Sequence, residues 1–420
     1  MILGRRVTDY DIATDAKPEQ VIYLFRRVIP TGVKHGTVTV LFKDARFEVT
    51  TFRIDNEYRD GRHPDSVSFT PSILEDLKRR DFTINAMAYD LEEGRLLDPH
   101  QGREDLKRKL IRAIGNPLER FREDGLRPVR ACRFAAQFGF TIEEKTFASI
   151  PRALDTVALV SAERLRDELL RLLAVEKPSQ GFFLMRDCGL LQLILPELSE
   201  GVGVLQRELH CFDVFEHLLY SCDAASPDNL AVRLAALLHD IGKPRALKED
   251  AGGGLLFHGH EDISAQMAEQ IARRLKLPGQ MIKRVVQLVR QHMFHYEEQW
   301  SDAAVRRFLL RVGETNLPDL LALRRADQIG RCNRQDISPA LIAFEKRLES
   351  HQAQEKAIGM KDLQVDGQDI MEALGIGPGP KIGAILGCLL ESVLDDPSLN
   401  QRQTLLEIAR RFYRERLMSS

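Results

Sequence analysis

Thr8-Asp9-Tyr10-Asp11-Ile12-Ala13-Thr14 sets two carboxylates either side of one tyrosine. On an extended segment residues i and i+2 point to one face. Two carboxylates so placed repel each other unless a cation lies between them. Paired divalent metals can activate an attacking hydroxyl and clamp a triphosphate in line. A third acid is expected from a neighbouring strand, and Glu48 is the only acid within Phe47–Phe52. Asp-x-Asp alone is also the pattern of many surface turns. The residues downstream carry more weight: Arg53, Tyr58, Asp60, Arg62, Arg79, Arg80, Asp81 and Asn85. Guanidinium groups close to paired acids suit a polyphosphate ligand better than a buried core.

Working outward, strand signals are confined to the first quarter. Val38–Phe42 and Phe47–Phe52 are β-branched and aromatic runs separated by Lys43-Asp44-Ala45-Arg46, which reads as a hairpin. Pro18–Arg27 reads as a helix before it, and a further helix is expected to start near Asp81. A short strand pair is expected to flank Glu92-Glu93-Gly94, and a strand over Lys109–Ile114 to end at Gly115-Asn116-Pro117. Beyond that point the periodicity is helical almost to the end, as in Leu165, Leu169, Leu170 and Leu173 on one face. The expected fold class is α+β: a small N-terminal α/β catalytic domain over 1–116, a helical connector over 117–196, a larger helical domain over 197–340 and a helical tail over 341–420. Hinges are expected at 115–117, 196–203 and 349–362.

The chain has 420 residues, 44% of them apolar and 29% charged, which excludes wholesale disorder and fibrous repeats. Sixty Lys and Arg against 62 Asp and Glu leave a net charge of -2, so any nucleic-acid contact must come from local basic surface. Such a surface is expected between Gln101 and Ala135, where ten Lys or Arg face five acids. Six scattered Cys without a Cys-x-x-Cys pair argue against a disulfide scaffold or a cysteine zinc site, and for a reducing cytoplasm. No apolar run approaches the roughly 18–20 residues of a membrane span.

Within the basic stretch lies Asp124-Gly-Leu-Arg127-Pro-Val-Arg130. If helical, Asp124 and Arg127 share a face. The acid would accept from amino groups and the guanidinium would donate to ring nitrogens and carbonyls, so together they could read the edge of a base. The same spacing also suits a solvated ion pair.

Gly4-Arg5-Arg6…Asp9-Tyr10-Asp11-Ile12-Ala13-Thr14, Tyr58-Arg-Asp-Gly-Arg-His-Pro-Asp65, Arg79-Arg-Asp-Phe-Thr-Ile-Asn-Ala86 and Glu123-Asp-Gly-Leu-Arg127…Arg130-Ala-Cys-Arg-Phe-Ala-Ala136 resemble the bacterial class II tRNA nucleotidyltransferases, the family of CCA-adding enzymes and poly(A) polymerases. The match spans nearly the whole chain. The resemblance implies a head related to DNA polymerase beta, adding C, C and A to tRNA 3′ ends from CTP and ATP with Mg2+. It implies that Asp9 and Asp11 hold the metal and that Glu48 assists. Gly4, Arg5, Arg53, Arg80, Asp81, Asn85, Arg130 and Arg133 would contact nucleotide, and Asp124 and Arg127 would select C and A. The loop 55–66 would help switch specificity. Family members normally begin with a strand and a Gly-Gly-x-Val-Arg-Asp turn, so the first strand is expected to be missing here, through a misplaced start. Gly125 and Pro128 are the second departure, since Pro is tolerable only near a helix start.

A second constellation is built from histidine. His217, His239-Asp240 and Asp327 fall on successive helical segments, with His260 and His292 between them. Neutral imidazoles and carboxylates suit a transition metal or Mg2+ with open water positions. The ordered set resembles the HD phosphohydrolase superfamily, in which it binds one divalent metal, and His260 and His292 resemble the further ligands of two-metal members. The residues leave the identity of the metal open. His210, His258 and His295 would lie outside the ligand set or touch substrate. In the CCA-adding family this domain is linked to phosphodiesterase or phosphatase action on small phosphoesters.

Near the end, the Gly-Pro segment Gly375–Gly383 with Lys381 precedes the helical run Ala384–Val393, a place where an RNA phosphate could sit. Two alternatives stand beside the leading expectation. One is a poly(A) polymerase or a CC- or A-adding relative. The other is an HD phosphohydrolase with an inert, RNA-binding first domain. tRNA, CTP and ATP are the expected partners, no membrane is expected, and the oligomeric state stays open.

Overall fold

The computed structural model describes residues 4, 10–43, 45–55, 67–206, 210–249, 252, 254–294, 296, 300–354 and 359–418. The head is a four-stranded sheet: β1 (Asp11–Thr14), β2 (Val28–Gly32), β3 (Thr37–Phe42) and β4 (Ala45–Thr51), in the order β1-β4-β3-β2. β1 runs parallel to β4, and the expected hairpin is β3 with β4. β4 starts at Ala45, earlier than the sequence suggested, because Lys43 turns the chain with φ 52 and lets Phe42 pair with Ala45. Alternation along β3 buries Val38 and Val40, which pack with Val49 and with Val21 of α1 (Pro18–Leu24). Pro18 opens α1, where its missing N–H costs nothing.

Two expectations fail next to this sheet. No α-helix starts at Asp81: the backbone there pairs with the 112–114 segment, Thr83 N–H donating to the Arg112 carbonyl and Ile114 N–H to Asp81. Only a short 3-10 turn follows over Thr83–Asn85. For the same reason the strand expected over Lys109–Ile114 is only Leu110–Ile111, which pairs with Thr141–Ile142. The strand pair Ala88–Asp90 with Arg95–Leu97 is present as expected.

The rest is helical. One continuous apolar core runs from Phe82 to Leu348, through the connector helices Arg127–Phe138, Ala162–Leu173 and Pro178–Asp187 and on through Val214–Ala224, Leu230–Leu238, His260–Arg274, Gly279–Gln291 and Leu317–Gly330. Arg233 pins the two parts together. Its fully buried guanidinium donates to the carbonyls of Ala225, Leu173, Val175 and Glu176. A buried charge so fully paired is held where it is, because moving it would strand its donors. The tail has its own small core, built on Ile370, Ile385, Leu389, Val393 and Leu405. Its main helix, Pro380–Asp395, begins inside the Gly-Pro segment, and Lys381 donates to the Leu417 carbonyl.

The helix Arg127–Phe138 starts at Arg127, so Pro128 sits in its first turn and removes no helical bond. Asp124 therefore lies outside the helix, in extended backbone after the helix Pro117–Glu123, contrary to the shared-face expectation. Gly125 is required there: a Cβ would come within 2.3 Å of the Thr156 carbonyl oxygen. The cysteine expectation also needs correction. Cys211 and Cys332 form a disulfide across 121 positions of sequence. Spacing could not reveal it, since the two meet only when the ends of two segments are folded together.

Candidate functional sites

In the head, parallel pairing sets Asp11 directly opposite Glu48. Side chains opposite one another on adjacent strands share a face, about 5 Å apart. Both residues are exposed, so the third acid stands where the sequence argument needed it. Asp9, Arg5, His295 and the loop residues 56–66 lie outside the described residues. Gly4 is exposed.

Asp76 is a residue that sequence reasoning missed. It is only 1% exposed, and one of its oxygens accepts from Arg53 N–H at 3.3 Å and from Arg79 Nη2 at 2.8 Å. Its other oxygen lies 3.6 Å from Arg80. The signal was present as an acid three and four residues before two arginines on a short helix. Arg53 also donates through its guanidinium to the His35 carbonyl, and Arg80 to the Asn85 carbonyl.

Asp81 binds head to connector. One oxygen accepts from Phe82 N–H at 2.8 Å and Asn85 Nδ2 at 3.1 Å, and the other from Arg130 Nε at 2.7 Å. Burial alone would raise its pKa, but Arg130 and these hydrogen bonds hold it below the usual carboxylate value. Glu168, buried on the helix Ala162–Leu173, accepts from Arg133 and lies 3.5 Å from Arg130. Thus Asp81, Asn85, Arg130 and Arg133 are brought into one network. Asp124 accepts from Leu126 N–H at 3.0 Å and from Arg164 at 2.7 Å. Arg127 is nearly buried, pairs with Glu123, and donates to the carbonyls of Arg120 and Arg79. Sequence reasoning missed Arg164, Glu123 and Glu168 as the groups that orient these side chains.

The second site is built at helix ends. His217 lies within the helix Val214–Ala224, His239 and Asp240 follow Leu230–Leu238, and His260 opens His260–Arg274. His292 closes Gly279–Gln291, and Asp327 lies on Leu317–Gly330. All six are buried. Asp240 is the hub. Its Oδ2 lies 3.3 Å from the Nε2 atoms of both His217 and His239, and its Oδ1 lies 3.0 Å from His260 and 3.4 Å from His292. Asp327 Oδ1 lies 3.4 Å from His217, while its Oδ2 accepts from Arg324 and Arg331. Lys243 lies 2.6 Å from Asp240 Oδ2.

These residues fit a metal. His239, His260 and His292 each place Nδ1 against the carbonyl three residues back, at 2.7–2.8 Å. Donation through Nδ1 leaves Nε2 as a neutral lone pair, the tautomer a metal takes. The Nε2 atoms of His260 and His292 and Oδ1 of Asp240 are buried without a hydrogen-bond partner, and a cation between them would satisfy all three. With protons alone to balance the site, burial opposes charge on His239 but Asp240 and Asp327 outweigh it and push its pKa up to about 9. Burial would raise both acids; His239 and Lys243 hold Asp240 well below the carboxylate range, and His217, His239 and Arg331 do so for Asp327. His210 also approaches, its ring 5.0 Å from that of His217, and it could share a metal with His217 and Asp327. His258 is exposed.

Residues 1–112 match the family model of the poly A polymerase head domain, and 139–201 match that described as a probable RNA and SrmB binding site of polymerase A. Residues 207–331 match the HD domain. Head, connector and histidine-rich domain together define a nucleotidyltransferase with an HD domain. The chain is 36% identical to a CCA-adding enzyme of Levilactobacillus brevis, over 96% of this chain and 89% of that one. It is 40% identical to an A-adding tRNA nucleotidyltransferase of Deinococcus radiodurans, over 78% and 77%. The crystal structure of the Bacillus stearothermophilus CCA-adding enzyme in complex with CTP shares the fold with a TM-score of 0.76 at 28% identity, covering 100% of this chain and 92% of that one. The chain belongs to the CCA-adding tRNA nucleotidyltransferase family. Among the described residues no helix is long and apolar enough to cross a membrane.

Proposed function

We propose that the chain adds C, C and A to the 3′ end of tRNA from CTP and ATP, and that its HD domain hydrolyses small phosphoesters. The observation that carries the first part is the register of Asp11 against Glu48 on one exposed face. Asp9, Asp11 and Glu48 would hold Mg2+, which when bound lowers the pKa of the attacking hydroxyl and neutralises the triphosphate. Asp76 pairs with Arg79 and Arg80 and accepts from the backbone N–H of Arg53, and these arginines would meet phosphate oxygens. Gly4 and Arg5 would join them as nucleotide contacts, as the family resemblance implies.

Asp124 and Arg127 read the base. C and A both present an amino donor beside a ring-nitrogen acceptor, whereas U and G present the reverse. A carboxylate and a guanidinium that both reached the base would match the first pattern and repel the second. Arg164 and Glu123 hold the two side chains at the joint, and the Asp81–Arg130–Glu168 chain with Arg133 fixes that joint against the head. The more exposed basic residues between 103 and 122, together with the tail, would supply the tRNA contact, in a cytoplasmic setting. On this reading the units are the head (1–116), the nucleotide-selecting connector (117–196), the HD domain (197–340) and the RNA-binding tail (341–420).

In the HD domain His217, His239, Asp240 and Asp327 would hold one divalent metal, and His260 and His292 a second through the other oxygen of Asp240. Lys243, which pairs with Asp240, and Arg324 and Arg331, which pair with Asp327, would meet a phosphate there. A metal so held supplies a hydroxide near neutral pH.

Product analysis on tRNA ending at its discriminator base tests the first reading: three nucleotides, CCA, are expected with CTP and ATP present. The likeness to an A-adding relative favours one rival. Addition of A only, and only to tRNA already ending in CC, would establish that rival instead.

A further inference from the structure

The two oxygens of Asp240 divide the HD site into halves. The Oδ1 half holds its unsatisfied atoms: among the described residues, Asp240 Oδ1 and the Nε2 atoms of His260 and His292 are buried with no hydrogen-bond partner. His239 and Asp240 lie on a turn that leaves the helix Leu230–Leu238, whereas His260 opens a different helix. Local bonds close the turn, Ile241 N–H donating to the Leu238 carbonyl at 3.3 Å and Lys243 N–H to the Asp240 carbonyl at 2.9 Å. The Gly242 N–H between them is buried and goes elsewhere, to Ser264 Oγ at 2.9 Å. Ser264 is fully buried and stands one helical turn after His260, on the same face. The approach is close: a Cβ on Gly242 would lie 2.6 Å from the Ser264 backbone nitrogen and 2.9 Å from the His260 carbonyl oxygen. The His260 ring is oriented separately, with Nδ1 against the Phe257 carbonyl at 2.7 Å. What Ser264 adds is the distance between helix and turn.

We propose that Ser264 is a positioning residue for the second metal of the HD site, touching neither metal nor substrate itself. By seating the His260 helix on the Gly242 turn, it keeps His260 Nε2 and Asp240 Oδ1 3.0 Å apart, close enough for one divalent ion to take both as ligands. The Oδ2 half does not depend on this contact. His239 is oriented by the Ala236 carbonyl at its own helix end, and His217 and Asp327 come from the helices Val214–Ala224 and Leu317–Gly330. Without the Ser264 hydroxyl, the Gly242 N–H is a buried donor with no acceptor, and turn and helix part to relieve it. His260 then moves away from Asp240 Oδ1, and the site is left able to hold one metal but not two. The inference rests on the reading of the HD site as a two-metal site.

The test titrates the full chain with Mn2+ and follows free ion, and the exchange-coupled signal of a manganese pair, by electron paramagnetic resonance. The unaltered chain is expected to bind two ions and to give the pair signal. Ser264→Ala is expected to hold the first ion as before and to bind the second roughly 10–100-fold more weakly, the range for groups that stand behind the ligands. The pair signal should fade accordingly. Gly242→Ala forces the same two segments apart from the other side and is expected to have the same effect. Both variants should add nucleotides as before, and urea unfolding is measured on each. A lowered urea midpoint with the second ion bound as tightly as before would overturn the proposal, because the contact would then serve stability alone. Loss of both ions together in the two variants would overturn it as well. An unaltered chain that binds fewer than two ions would overturn the two-metal reading beneath it.

Discussion

Asp240 offers one carboxylate oxygen to His217 and His239 and the other to His260 and His292. Its removal should therefore empty both halves of the HD site. Asp240→Ala is expected to reduce bound metal to background and phosphoesterase activity by more than about a hundredfold, since outer-shell changes alone cost 10–100-fold. Nucleotide addition should be unaffected. Asp11→Ala is expected to do the reverse, and loss of both activities in either variant would contradict two separate sites. Asp81 makes a pH prediction. Arg130 and its hydrogen bonds depress its folded-state pKa, so the stabilisation is present above the ordinary carboxylate value of 3.8 and lost as pH falls through the lower folded value. Asp81→Asn should flatten the acid limb of a plot of urea midpoint against pH; an unchanged limb would place the acid sensitivity elsewhere.

At the scale of elements, the HD site depends on how closely the helices Val214–Ala224 and Leu317–Gly330 approach. A Cβ on Gly330 would lie 2.1 Å from Ser221 Oγ and 2.7 Å from its backbone nitrogen. Gly330→Ala must push apart the helices that carry His217 and Asp327. A loss of about 1–3 kcal/mol in denaturant unfolding is expected, together with weaker metal binding in a titration. Full retention of both would mean that the helices can slide without cost. The connector shows the opposite economy, since the helix start at Arg127 accommodates Pro128 and frees Asp124 to turn outward to Arg164. Arg127→Ala should relax the CTP/ATP preference in competition assays with UTP and GTP, and an unaltered preference would remove Arg127 from base reading. The hairpin and the helical remainder were legible in local periodicity. The helix expected at Asp81 was not, because the backbone there pairs with residues about thirty positions away.

At the scale of the whole molecule, connector and HD domain share one apolar core, locked by Arg233 and reaching Leu348, whereas the tail from Leu363 onward has its own. Tail and HD domain meet in part through a half-buried Arg307 with the exposed Glu391 and Asp395, and through Arg306 on the carbonyls of Leu394 and Asp395. Exposed ion pairs contribute little. Calorimetry is therefore expected to resolve a tail transition from a later, shared transition of connector and HD domain. Separate melting of the connector and HD domain would show that the shared core does not couple them.

The sequence alone marked the side chains equipped for chemistry and their order: acids, then arginines, then histidines. Residue type and short-range periodicity are local properties and survive without a fold. It also determined the hairpin that supplies Glu48. The tertiary structure decided where those groups converge. It chose which oxygen of Asp240 each histidine faces, made Asp76 the partner of the Arg79 and Arg80 side chains, placed Asp124 outside its helix, and joined two cysteines 121 positions apart. Each of these depends on the crossing of segments remote along the chain, and a hydrophobic pattern reports only which face is buried, not what the opposite wall supplies.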